Sequence, residues 1–413
     1  MIIDSSVYSG KCSCGRDHAM ETKLAVVERG VLTRFDAYME QYGIEGFRTA
    51  VYDTNTYRAE GLTRPRADFE AVLDARDLHG NEHGVAALKA ILPAETKVLV
   101  AVGSGTIHDI TRYVAWELGL QFVSCPTAAS VDGFCSSVAA MTWEGAKKTL
   151  TAVPPVLVLA DLDVITKAPI RLARSGFGDM IGKFIALTDW KIGHILTGEF
   201  YCDRIADMTM EATRAVMDSA EGIAAGDASA YEKLTYGLIL SGLAMQLMGN
   251  SRPASGAEHH ISHIIEMEPD SYGVHSDGLH GEKVGVGTLL AIAEYHRLAT
   301  LPASAWGDYR AISEDEIFAV FGARLARQIG EENAKDAAAG VKGERIRACL
   351  EDVRKVISAI PTAEEMVKVY SRLGVMHTLE EIQVPDTLRD KLLNDSPMVR
   401  NRLTLMRLRR CLN

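Results

Sequence analysis

Val98-Leu99-Val100-Ala101-Val102 carries no polar side chain and runs straight into Gly103. A strand sends successive side chains to opposite faces, so one that is apolar at every position must be covered on both. That is the situation of a parallel sheet between two layers of helix. The same texture recurs at Leu24-Ala25-Val26-Val27, Phe47 to Tyr52, Phe122-Val123-Ser124-Cys125 and Val156-Leu157-Val158-Leu159. Helical patterns lie between, from Leu32 to Tyr42 and from Gly103 to about Leu118. After about Asp163 the texture changes to Ala, Leu, Met, Glu and Arg at helical spacing, as in Met208 to Met217, Tyr231 to Met248 and Val284 to Leu298. Pro154-Pro155 and Pro169 punctuate the junction. The expected architecture is an α/β domain over residues 1–163 and a helical domain over residues 164–413.

Composition narrows the partners. A net charge of −11 over 413 residues argues against wholesale nucleic-acid binding, which needs a positive field. The last stretch, Arg400 to Arg410, is basic and reads as a helix with a solvated face. Seven scattered cysteines without a repeating framework favour a reducing compartment. Met1 to Cys14 lacks the pattern of a signal peptide, and no run of 18 or more apolar residues offers a membrane span. A soluble cytoplasmic protein is expected.

Gly103-Ser104-Gly105-Thr106-Ile107 sits where a strand turns into a helix. Glycine lets the backbone approach a phosphate, and the N–H groups of the following helix favour an anion. The usual dinucleotide fingerprint has a third glycine where this chain has His108, so a plain tight turn is an equal reading. Asp53 ends an earlier strand, where an acidic residue can bind the ribose hydroxyls of NAD and repel a 2′-phosphate; alternatively it begins a turn with Thr54 and Asn55. Thr127-Ala128-Ala129-Ser130-Val131-Asp132-Gly133 follows another strand. Its hydroxyls could serve a pyrophosphate or nicotinamide, and Asp132 a substrate hydroxyl, or the segment is a capped loop.

A second group of residues points to a metal. His259 and His263 are four apart and share a face if helical, while His260 points elsewhere. His280 precedes a Gly-Glu-Lys turn, His275 competes with it on spacing, and Asp179 lies between glycines at the head of a helical stretch. Two imidazoles and a carboxylate make an open site for a divalent cation, with a fourth position for substrate. His79 and His83 are also four apart, but read as a solvated helix face. Cys12-x-Cys14 followed by His18 resembles a metal knuckle. Its one-residue gap is shorter than the common two and no second pair follows, so that reading is set aside.

Taken in order, Asp53, Gly103 to Ile107 with Asp109, Thr127 to Gly133, Gly178-Asp179, Glu258-His259 to His263 and His280-Gly281 resemble one superfamily. It is the superfamily of dehydroquinate synthase and the iron-type alcohol dehydrogenases, and within it the bacterial sn-glycerol-1-phosphate dehydrogenases. The resemblance implies a dehydroquinate-synthase-like fold, with an α/β nucleotide domain followed by an all-α domain. It implies Asp179, His259 and His280 as metal ligands, and Asp132, Asp179 and His263 as residues touching substrate. It places Thr127, Ser130 and Ser136 along the NAD site, beside Ala128, Ala129 and the glycine turn. The expected reaction interconverts dihydroxyacetone phosphate and sn-glycerol 1-phosphate with NADH or NADPH. The expected metal is zinc or nickel ahead of iron, and the expected assembly a homodimer. Lys183, Arg252 and Lys283 are candidates for the substrate phosphate. The alternatives are glycerol dehydrogenase and a lyase like dehydroquinate synthase.

Overall fold

A computed structural model describes residues 1–143 and 146–413. Seven strands form the main sheet: β1 (Ile2–Asp4), β2 (Leu24–Glu28), β3 (Phe47–Asp53), β4 (Phe69–Leu73), β5 (Thr96–Gly103), β6 (Gln121–Pro126) and β7 (Leu157–Asp161). Their spatial order is β1-β2-β7-β6-β5-β3-β4. All neighbours are parallel except β1, which runs antiparallel along β2 at one edge. Alternation along β5 explains the apolar run over residues 98–102. Val98, Val100 and Val102 enter one core with Val26, Leu157 and Leu159, whereas Leu99 and Ala101 enter another with Ile107, Ile110, Val114 and Phe122. Residues of the antiparallel hairpin formed by Val138–Trp143 and Ala146–Thr151 close the second core through Ala139 and Met141.

The chain divides into two compact units, residues 1–180 with 214–250 and residues 181–213 with 251–413. The first contains the sheet, the helices Gly105–Leu118 and Ile170–Ile181, and the long helix Ala228–Met248. The second is helical, with Lys183–Thr197, Ala257–Met267, His280–Ala299, Glu314–Asn333, Gly343–Ser358 and Ala363–Leu373. No described helix is long and apolar enough to cross a membrane.

The C-terminal stretch departs from expectation. Residues 400–406 form no helix, and only Arg407–Cys411 make a 3-10 turn. Its arginines do not present a solvated face. Arg407 is fully buried against Asp336 at 2.9 Å, Arg409 meets Glu294 at 2.7 Å and Arg410 meets Glu316 at 2.9 Å. Arg407, Arg409 and Arg410 each find a carboxylate inside the helical unit, which is what lets so basic a segment pack inward.

Candidate active site

In the α/β unit the glycine turn and the 127–136 loop are neighbours because β5 and β6 are neighbours. Gly103 pairs with Pro126 at the carboxyl ends of those strands, and the Thr127 N–H donates to the Gly103 carbonyl at 3.0 Å. Ligands of parallel sheets bind at that end. Ser104 is the N-cap of the Gly105–Leu118 helix. His108, in the place of a third glycine, is buried: its Nδ1–H donates to the Ser104 carbonyl at 2.9 Å and its Nε2 accepts from the Ser124 hydroxyl at 2.8 Å. Burial, then the nearby Arg112, pushes its pKa down to about 3, so it stays neutral.

The loop itself is held from several sides. Arg112 donates to the carbonyls of Phe134 at 3.1 Å and Ser136 at 2.6 Å. The Ser136 hydroxyl accepts the Val138 N–H at 3.1 Å, while the Ser175 hydroxyl donates to the Ser130 carbonyl at 3.2 Å. Ala128 and Ala129 are buried, and the buried Ser130 hydroxyl has no hydrogen-bond partner among the described residues. A buried orphan hydroxyl beside a glycine turn fits a bound polar ligand such as a dinucleotide. Asp53 forms the turn that was its alternative reading: its Oδ1 accepts the N–H groups of Asn55 at 2.8 Å and Thr56 at 2.7 Å.

Asp132 and Asp179 are brought together. The Asp132 N–H donates to Asp179 Oδ2 at 2.9 Å, and Asp132 Oδ2 accepts from the Ser241 hydroxyl at 2.9 Å. Asp179 is fully buried and lies in the last turn of the Ile170–Ile181 helix, not at the head of a helix. The glycines before it do another job. A Cβ on Gly176 would stand 2.1 Å from the Ala129 carbonyl oxygen, so the helix can lie directly on the loop only with glycine there.

In the helical unit, His259 and His263 share one face of the Ala257–Met267 helix, and His280 is the first residue of the His280–Ala299 helix, so Gly281-Glu282-Lys283 is helix rather than the expected turn. The two helices touch where a Cβ on Gly287 would come within 2.7 Å of the Glu258 carbonyl oxygen. Ring centroids lie 5.4 Å apart for His259 and His280, 5.9 Å for His259 and His263, and 6.0 Å for His263 and His280. Each histidine of the proposed ligand set is oriented by a carboxylate. His259 Nδ1–H donates to Glu258 Oε1 and His280 Nδ1–H to Glu266 Oε1, both at 2.7 Å. Those bonds fix the tautomer and put the lone pair on Nε2, as metal-binding histidines require. His259 and His280 offer ring nitrogens within 4.8 Å of one another, and His263, Glu266 and His280 bring two ring nitrogens and a carboxylate oxygen equally close. The donor set therefore fits a divalent cation. Burial lowers the pKa of His263 well below the usual histidine range, with Glu266 opposing and the two neighbouring imidazoles reinforcing the shift.

Other candidates fall away. His275 is exposed and held between Glu268 at 2.5 Å and Asp277 at 3.1 Å, outside the cluster. His260 points away and is buried. His79 and His83 are exposed, and only His83 is on a helix. Arg252 forks onto Glu199 at 2.8 Å and donates to the carbonyls of Asp189 and Leu403, so its guanidinium is committed to packing. Lys183 is buried and donates to the Ala254 carbonyl at 3.0 Å.

Sequence reasoning missed Glu266, Ser241, Arg112 and Asp189. Glu266 follows His263 by three residues, a spacing that shares a helix face and could have flagged it. Asp189 is buried with its pKa raised to about 7 by desolvation, and its carboxylate takes the Tyr295 hydroxyl and the N–H groups of Ala257 and Leu405. It thus anchors the start of the histidine helix, and nothing in the local sequence announces so distant a role.

Comparisons with known proteins bear on the family and the fold. Residues 26–169 match the family described as iron-containing alcohol dehydrogenase. A protein of Halalkalibacterium halodurans named glycerol-1-phosphate dehydrogenase (NAD(P)+) is 33% identical over 416 residues, spanning 98% of this chain and 96% of the relative. One of the same name from Bacillus licheniformis is 31% identical over 406 residues, spanning 96% and 90%. The crystal structure of an iron-containing alcohol dehydrogenase from Corynebacterium glutamicum superposes with a TM-score of 0.62 at 14% identity, covering 98% of each chain. That likeness identifies the fold. The chain belongs to the glycerol-1-phosphate dehydrogenase family, within the superfamily of iron-containing alcohol dehydrogenases.

Proposed function

We propose that this protein reduces dihydroxyacetone phosphate reversibly to sn-glycerol 1-phosphate with NADH or NADPH. The observation that carries the reading is the pair of histidines, His259 and His280, each with Nδ1 tied to a carboxylate and Nε2 carrying the lone pair. Asp179 completes the proposed ligand set, its carboxylate steadied by the Asp132 N–H. A divalent cation held there, zinc or nickel ahead of iron, would polarise the substrate oxygen and stabilise the charge that develops on it. The nicotinamide supplies or takes the hydride.

The chain's own residues do the rest. Gly103, Ser104, Gly105, Thr106 and Ile107 present a turn and helix N-terminus to the pyrophosphate, while Thr127, Ala128, Ala129, Ser130 and Ser136 line the nicotinamide side. Asp53 is assigned to the ribose hydroxyls with one of its oxygens already fixed in a turn. Asp132 accepts a hydrogen bond from a substrate hydroxyl, its carboxylate aimed by Ser241. His263, neutral because of its desolvated surroundings, carries a proton to or from the substrate side at a ring nitrogen. Residues 1–163 are assigned the nucleotide and residues 164–413 the metal and substrate. A cytoplasmic homodimer belongs to the same reading, and the lack of disulfides among the seven cysteines supports the compartment.

The test is NADH loss with dihydroxyacetone phosphate on metal-analysed protein, followed by chiral analysis of the product. Net oxidation yielding sn-glycerol 1-phosphate is expected. A lyase recycles its cofactor and gives no net loss, and a larger kcat/KM for glycerol than for glycerol 1-phosphate would establish the unphosphorylated substrate instead.

A further inference from the structure

The N-terminal segment uses its cysteines and histidine in a way the reaction does not explain. Gly10–Lys11 and Asp17–His18 pair as a two-residue-strand hairpin, closed by Cys12-Ser13-Cys14-Gly15-Arg16. The Cys12 N–H donates to the Arg16 carbonyl and the Gly15 N–H to the Cys12 carbonyl, both at 3.0 Å, and Gly15 takes a left-handed φ of +87°. This tight loop folds both thiols to one side. The ligand atoms of Cys12, Cys14 and His18 lie within 4.8 Å of one another. So short a hairpin is marginal on its own strand pairing.

His18 is the informative residue. It is buried, and its Nδ1–H donates to the Leu247 carbonyl at 2.8 Å, near the end of the Ala228–Met248 helix. A carbonyl only accepts, so Nε2 carries the lone pair, and Nε2 stands 3.2 Å from Cys14 Sγ. Zinc bonds of about 2.3 Å to sulfur and about 2.0 Å to nitrogen at a tetrahedral angle separate those two atoms by about 3.5 Å. The observed spacing is within a few tenths of an ångström of that. The bond from the far ring nitrogen to a backbone carbonyl is the outer-shell partner that metal-ligating histidines have.

We propose that Cys12, Cys14 and His18 bind a structural zinc ion, separate from the catalytic cation, with the fourth position taken by a donor outside the hairpin. Two soft thiolates and an imidazole select zinc over the hard cations that carboxylates favour. The one-residue gap between the cysteines, which argued against a knuckle, is accommodated because the loop turns at Gly15. The ion fastens the hairpin to the Ala228–Met248 helix. Next to Leu247, the Gln246 side-chain carbonyl accepts the Glu21 N–H at 3.0 Å, and its amide donates to the Cys135 carbonyl beside Ser136. The helix end that receives His18 thus also holds the loop assigned to the nicotinamide.

Thiolate ligation gives this site a signal that a carboxylate–imidazole site lacks. Full-length protein is reconstituted with cobalt(II) under reducing conditions and its near-ultraviolet absorption recorded. A sulfur-to-cobalt charge-transfer band is expected in the wild type and in His259→Ala, and its loss in the double variant Cys12→Ser/Cys14→Ser together with one bound zinc per chain. Absence of the band from the wild type, or its survival in the double variant, overturns the proposal. If the double variant does not fold, pulsed alkylation of the zinc-loaded wild type decides. Cys12 and Cys14 should be protected until a chelator is added, and equal labelling before and after chelation overturns the site.

Discussion

Both units bury imidazoles, and they treat them in opposite ways. In the α/β unit His108 has both ring nitrogens satisfied, by Ser104 and Ser124, and its ring packs edge-on against Phe134 at 4.9 Å. In the helical unit His259, His263 and His280 face one another at 5.4–6.0 Å, two of them anchored through Nδ1 to Glu258 and Glu266. A buried histidine with two partners is part of the packing. Imidazoles gathered round one point, two of them with their far sides tied to carboxylates, suit a cation. The difference separates histidines that hold the fold from histidines that hold a ligand.

The sharpest way to break the comparison is His259→Ala. It should remove bound metal and reduce turnover by more than the roughly 100-fold that marks loss of an outer-shell partner, with the fold kept; full metal occupancy at normal activity would reject the ligand assignment. Next is Glu266→Gln, which leaves His280 in place but weakens its anchor. A 10- to 100-fold loss of metal affinity, on the order seen for outer-shell partners, should appear in a chelator titration, and an unchanged titration would assign Glu266 to packing.

Smaller effects test the α/β unit. Gly176→Ala forces a methyl onto the Ala129 carbonyl and should cost about 1–3 kcal/mol in urea unfolding, with a raised KM for NADH as the loop shifts; no change in either would mean the helix moves aside freely. The smallest is a pH effect. The folded-state pKa of His108, about 3, lies below the unfolded value of 6.5, so the native state binds fewer protons and stability falls as pH drops from 6.5 towards 3. At about 1.4 kcal/mol per pH unit for one such group, moving from pH 7 to pH 5 removes about 2 kcal/mol. His108→Asn should lose that much less over the same interval, and a parallel pH dependence in the two proteins would show that His108 titrates normally.

Much of the fold was legible in single residues. β5 announced a doubly covered parallel strand because both of its faces are apolar, and Gly103 marked its end. The short edge strand Phe69–Leu73 and the hairpin after Ser136 were not legible, since neither makes an uninterrupted apolar run. The C-terminal arginines misled for a related reason. A basic segment looks solvated until its carboxylates are known, and Asp336, Glu294 and Glu316 come from far along the chain.

The sequence by itself determined the buried parallel strands, the glycine turn and the shared helix face of His259 and His263, because each depends on periodicity or on neighbours a few residues apart. Only the tertiary structure decided that Glu266 anchors His280, that His275 stands outside the cluster, that Arg252 is taken up by Glu199, and that His18 is aimed by Leu247. These are contacts between distant segments. A side chain's partner, and with it its tautomer and role, is set by what the folded chain brings alongside it.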